Sequence, residues 1–176
     1  LPADFGERYG NRLCMTDFQP KNVLVAGNAS ICLIDIDYCA GCPALELAQF
    51  LVALTRMRLR HPHPTSARML ATWQQEFLTS YFKSASPDVA GDLVFFYPWI
   101  LLSSLRMHLA TRPFLRPFLA KFYGRRLYCF LTRLQRFSPK RCHKTWIELF
   151  TDSDGLLAPT PGCDRILDQE PELLQV

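Results

Sequence analysis

The sequence predicts an α+β fold that is mostly helical, with one small β-hairpin followed by four to five helices. Three observations carry that prediction. Residues 22–37 hold two short apolar runs separated by Gly27-Asn28. From Pro43 onward, apolar residues recur at helical spacing. Finally, 49% apolar and 20% charged side chains over 176 residues are enough to bury one core.

The arms of the hairpin are Val23-Leu24-Val25 and Ile31-Cys32-Leu33-Ile34, rich in β-branched and bulky apolar residues. Gly27 and Asn28 both tolerate positive φ, as a tight turn requires. The return arm leads to Asp35, with Asp37 on the same strand face if the strand continues. Pro43 opens the first helix, where Leu47, Leu51, Leu54 and Arg58 share a face, and the run ends before His61-Pro62-His63-Pro64. A Thr65-Ser66 cap starts the second helix, with Leu70, Trp73, Phe77 and Tyr81 along it. Ser86-Pro87-Asp88 starts the third with a cap, a first-position proline and an acid at the positive helix end, and Pro98 is expected to kink it. A fourth spans about Phe114 to Phe137, broken or bent at Pro117 with Gly124 as a second point of bending, and a short fifth covers Lys144 to Phe150. Residues 1–150 thus read as one lobe, with a loop and hairpin at 13–38 and a helical subdomain at 43–150; residues 151–176 read as an irregular acidic tail.

Seven cysteines without regular spacing argue against a disulfide-stapled secreted module, which places the protein in a reducing cytoplasm. Cys39-Ala40-Gly41-Cys42 has no second pair at ligand spacing and reads as structural, and His61 and His63 read as a linker. The longest apolar stretch, Leu93 to Leu105, is thirteen residues long and contains Pro98, too short for a membrane span and better read as a buried helix. Aromatic groups around Trp73, Phe95-Phe96-Tyr97 and Trp99 are read as core.

The net charge of +4 is unevenly spread. Between Asp92 and Glu148 there is no acid and there are eleven Lys or Arg, while the chain after Ile147 carries seven acids against Arg165 alone. The basic block, 106–144, reads either as a solvated helix face or as a surface attracted to an anionic membrane or anionic substrate. No nucleic-acid motif accompanies it, so nucleic acid is not an expected partner.

The chemistry-bearing segment is Asp17-Phe18-Gln19-Pro20-Lys21-Asn22, followed by the hairpin and by Leu33-Ile34-Asp35-Ile36-Asp37. Paired strands lie about 4.8 Å apart, so the hairpin can hold Asn22 and Asp35 near one cation with Asp17 close by. An amide oxygen and a carboxylate suit magnesium, with phosphate oxygens and water completing its shell. Asp17 would orient an acceptor hydroxyl and take its proton late. Asp37 is either a further metal ligand or a solvated carboxylate.

These residues resemble the aminoglycoside phosphotransferase and choline kinase family, of the protein-kinase-like superfamily. That family has His-Gly-Asp-x-x-x-x-Asn, a hairpin, then Asp-x-Asp/Glu and Gly-Asp-Pro-x-x-Asp-Leu-Ala. The chain has Asp17 to Asn22, Asp35-Ile36-Asp37, and Gly41-Cys42-Pro43-Ala44-Leu45-Glu46-Leu47-Ala48. The close match covers residues 13–54. The resemblance implies the carboxyl-terminal lobe of a kinase fold, Asp17 as catalytic aspartate, Asn22 and Asp35 as magnesium ligands, Glu46 as anchor of the loop, and ATP as co-substrate. The activity implied is phosphoryl transfer to a hydroxyl of a small molecule such as a sugar, aminoglycoside or amino alcohol. Met15-Thr16 stand in place of His-Gly, and Cys42 replaces an aspartate. A glycine-rich strand pair and an ATP-binding lysine cannot be placed, which implies that the amino-terminal lobe is absent and the chain by itself inactive. Two alternatives remain open at this point: a non-catalytic kinase-like binding module or gene fragment, and a lipopolysaccharide-core sugar kinase working at a membrane surface.

Overall fold

The computed structural model describes residues 12–28, 30–60, 63–85 and 87–135, together with Tyr9, Ile147, Leu149 and Phe150. In chain order come β1 (Leu13–Met15), a 3-10 turn (Pro20–Asn22), β2 (Val23–Val25), β3 (Ile31–Leu33) and β4 (Tyr38–Ala40). The helices follow: α1 (Pro43–Arg60), α2 (Pro64–Ser84), α3 (Pro87–Thr111), a 3-10 turn (Pro113–Leu115) and α4 (Arg116–Gln135). The molecule is therefore mostly helical with a small β component. Ser86, most of the expected short fifth helix and the acidic tail lie outside the described residues.

The expected hairpin is β2–β3, antiparallel with Val23 opposite Leu33 and Val25 opposite Ile31. Its turn is closed by Ala26 N–H donating to Ser30 O at 2.9 Å. A second strand pair was not expected. β1 and β4 pair antiparallel around the hairpin, with Leu13 opposite Ala40 and Met15 opposite Tyr38. Thr16 N–H extends the ladder to Asp37 O, and Gly41 N–H closes its other end on Arg12 O, both at 2.9 Å. The sequence concealed this pair because its strands are three residues each and no turn joins them directly.

α1 forms because Ala44, Leu47, Ala48, Leu51 and Thr55 recur along one side, and each is at most 1% exposed. Its most extensive partner is α3, through Leu93, Tyr97 and Leu101, and α4 packs on α3 with Leu119, Tyr123 and Phe130. Phe150 sits in the same core, its ring 5.7 Å from both Tyr97 and Phe130.

The helix boundaries differ in detail from those expected. α2 starts one residue before Thr65, because Pro64 occupies its first turn and His63 is the cap, its Nδ1 accepting from Thr65 N–H at 3.3 Å. α3 continues on both sides of Pro98, and α4 starts at Arg116 after the 3-10 turn rather than at Phe114, with Pro117 in its first turn where no N–H is needed. Trp73, Phe95 and Trp99, expected in the core, are 48%, 56% and 51% exposed, while Phe96 and Tyr97 are buried. Among the described residues, Trp73, Phe95 and Trp99 lie on the sides of α2 and α3 away from the core.

Candidate active site

Asp17 follows β1 directly, and two anchors fix the start of its loop. Met15 N–H donates to Glu46 Oε1 of α1 at 3.3 Å, and the Thr16 hydroxyl donates to Asp37 O at 3.2 Å. Next to Asp17, Phe18 stacks on Phe50 of α1, with centroids 4.6 Å apart and planes at 20°, and lies 6.3 Å from Phe77 of α2. The loop is thereby pinned to the helical layer by an aromatic ring on one side of Asp17 and a strand ladder on the other.

The loop then closes on itself. Asn22, 4% exposed at the end of the 3-10 turn, donates through Nδ2 to Asp17 O at 2.9 Å and to Asp17 Oδ2 at 3.3 Å. Both neighbours are acceptors, so the amide must present its NH₂ to them and turn Oδ1 away. Gln19 donates through Nε2 to Asp17 Oδ1, and its own Oε1 accepts from Arg56 Nη2 at 2.9 Å. Lys21 Nζ lies 2.9 Å from Asp17 Oδ2. The Lys21 hydrogen bond holds the Asp17 carboxyl below its ordinary value, helped by Gln19 and Asn22 against partial burial. Asp17 is thus ionised at neutral pH.

The hairpin brings the second acid back to this loop. Ile34 N–H donates to Asn22 O at 2.9 Å, so Asp35 follows directly on a residue bonded to Asn22. β3 ends at Leu33, and Asp35 has a φ of 53°, a left-handed conformation unusual for a residue other than glycine and tolerated best by Asp and Asn. The same-face relation expected for Asp35 and Asp37 therefore does not hold, because the strand stops before either. Instead the chain bends at Asp35 and Asp37 enters the ladder with Thr16. Both carboxylates are exposed.

Asn22 thus touches Asp17, while Asp35 and Asp37 lie on the segment between β3 and β4 that is tied by backbone bonds to Asn22 and Thr16. Among the described residues no group of three or more His, Cys, Asp or Glu side chains is arranged to hold a metal. The sequence-expected donors are hard oxygens, the Asn22 amide oxygen and the exposed carboxylates of Asp35 and Asp37. That donor chemistry suits magnesium with water and phosphate supplying the remaining positions. Gln19, Arg56 and the aromatic anchor were not anticipated, since nothing in their local spacing announces contacts across the loop.

Cys14 and Cys39 stand opposite each other in the β1–β4 pair, and Cys14, Cys32, Cys39, Cys42 and Cys129 are free thiols. Burial, followed by the nearby Glu46, pushes the Cys14 thiol up to about 11, as for an unreactive structural cysteine. Comparison with protein-family models, curated proteins and solved structures gives no match for this chain.

Proposed function

We propose that the chain is the catalytic half of an ATP- and magnesium-dependent phosphotransferase acting on a hydroxyl of a small molecule such as a sugar, aminoglycoside or amino alcohol. The observation that carries this reading is the closed loop from Asp17 to Asn22, bonded through Ile34 N–H to the strand that leads into Asp35. Asp17 is ionised and held by Gln19, Asn22 and Lys21, which suits a group that orients an acceptor hydroxyl and receives its proton. Asn22 Oδ1 and the Asp35 carboxylate would hold magnesium, with Asp37 as a third oxygen donor. Magnesium would neutralise charge on the phosphate oxygens during transfer. Asp35 retains a costly left-handed backbone, a kind of strain that clusters at functional sites. The apolar strand residues Val25 and Ile31, opposite each other in the hairpin and 68% and 69% exposed, offer a face on which a nucleotide-holding lobe would rest. The proposed setting is the cytoplasm.

Titration of ATP into the chain, with and without magnesium, tests the binding half of this reading. Binding is expected to need magnesium, to be lost in Asn22→Ala and Asp35→Ala, and to survive in Asp17→Asn. Phosphoryl transfer, assayed with the chain and a supplied nucleotide-binding lobe, is expected to fall at least about 100-fold in Asp17→Asn. Undiminished transfer in that variant would refute the assignment. Magnesium-dependent nucleotide binding with no transfer to any acceptor would identify a kinase-like binding module instead, a reading favoured by the Lys21 and Gln19 contacts that occupy both Asp17 oxygens.

A further inference from the structure

We infer that the outer face of α3 and the corner where it turns into α4 form a docking surface for an anionic lipid bilayer, on which α3 lies flat. This inference is independent of the phosphotransfer reading and uses none of its residues.

Within Asp88–Thr111, α3 contains an 18-residue window apolar enough to be compared with a membrane-spanning helix: its mean hydropathy is 1.3, yet only 28% of that window is buried. Its inner side, with Leu93, Tyr97 and Leu101, is held in the core by α1 and α4. Crossing a bilayer would strip those residues from the core, so the helix stays with the fold. Its outer side presents Phe95, Trp99 and Leu102, which are 56%, 51% and 48% exposed. These positions are four and three residues apart and form one stripe, which continues one turn on to the exposed Arg106.

Beyond Arg106 the surface changes to alternating aromatic and basic groups. Arg112, Arg116 and Lys121 are exposed, and between them Phe114 and Phe118 are 79% and 58% exposed. The turn that carries Phe114 packs against both α3 and α4, so the corner is fixed in place. No acid occurs between Asp92 and Glu148.

The combination selects its occupant. A second copy of the patch would set arginine against arginine, as a two-fold interface pairs each surface with itself. Single-stranded nucleic acid is held in a basic groove with aromatic platforms, whereas these rings stand on the convex surface of helices. A bilayer matches both parts. Phe and Trp enter the boundary between headgroups and acyl chains, and Arg and Lys remain at the level of anionic headgroups. The inference takes up the second sequence-level reading of residues 106–144, for the described part of that block. The docking charge is the part at the corner, while Arg126 is half-buried, and burial followed by its neighbour Arg58 pushes its guanidinium down to about 9.

The experiment is co-sedimentation of the 176-residue chain with phosphatidylcholine vesicles, with and without phosphatidylglycerol, at low and high salt. Binding is expected to the anionic vesicles only, and to weaken with salt. Arg112→Gln with Arg116→Gln is expected to weaken it about thirtyfold. Phe114→Ser with Phe118→Ser is expected to abolish it, circular dichroism remaining that of the parent. In a background with Trp73→Phe and Trp146→Phe, emission should shift to the blue on binding as Trp99 leaves water. Equal binding to neutral and anionic vesicles would overturn the inference, as would no binding to either. So would a dimer, or retention of single-stranded nucleic acid, that the same phenylalanine substitutions abolish.

Discussion

Asp17 and Glu46 are carboxylates placed under opposite influences. Asp17 is half-exposed beside Lys21, and its depressed pKa favours the folded state above the ordinary value of 3.8, an advantage lost as pH falls through the folded value. For so exposed a pair, one i,i+4 turn apart, the contribution is about 0–1 kcal/mol. Glu46 is half-buried at the start of α1 and accepts from Met15 N–H, while burial pushes its carboxyl up despite that hydrogen bond. A raised carboxyl favours folding below the ordinary value of 4.5, and this advantage is lost as pH rises through the folded value. Glu46→Gln keeps an acceptor for Met15 N–H and removes the titration. The stability of the parent relative to Glu46→Gln should therefore decline as pH rises above 4.5. Glu46→Ala should lose about 1–3 kcal/mol, because it leaves the buried Met15 N–H without its acceptor. Urea unfolding of the three proteins across pH measures both.

The elements around the site divide its work, with the β2–β3 hairpin setting the spacing of Asn22 and Asp35 and the helical layer fixing the loop. Phe18 joins the two, stacked on Phe50, which itself lies 4.5 Å from Phe77. Phe18→Ala should cost about 2–3 kcal/mol and loosen the Asp17 loop, and Phe18→Leu should recover most of the stability. Denaturant midpoints give the stability, and proteolysis within residues 16–22 reports the loop. The hairpin was legible in sequence because its signals are local: β-branched arms, Gly27-Asn28, and acids at its return. The β1–β4 pair was not, because Met15 and Tyr38 are far apart in sequence and three-residue strands show no useful alternation. Phe18 was likewise silent, since a single ring cannot reveal which distant rings it meets. For α3 the difficulty was different. Its apolar residues surround the helix, so periodicity identified a helix without choosing the face that the core would cover.

At the scale of the molecule, Arg56 of α1 connects the two regions of interest. It donates to Gln19 in the Asp17 loop, and with Arg60 of α1 and Arg112 after α3 it bears electrostatically on His108 near the end of α3. His108 Nδ1 lies 2.8 Å from the Tyr123 hydroxyl of α4, so the imidazole joins two helices at the base of the corner. Burial first, then Arg56, Arg112 and Arg60, lowers the His108 pKa from its ordinary 6.5. The sign follows from proton binding: the unfolded chain takes up a proton at His108 before the folded chain does, so acidification below 6.5 favours unfolding. The loss is complete only once pH has fallen through the depressed folded value. His108→Gln retains a group able to meet the Tyr123 hydroxyl and removes the titration. Its stability should therefore fall less than the parent's on acidification from pH 6.5, with the two curves parallel above it. Urea midpoints across that range, with an NMR titration of the His108 ring, decide the matter. A His108 pKa at or above 6.5 would contradict the positive environment assigned to this corner.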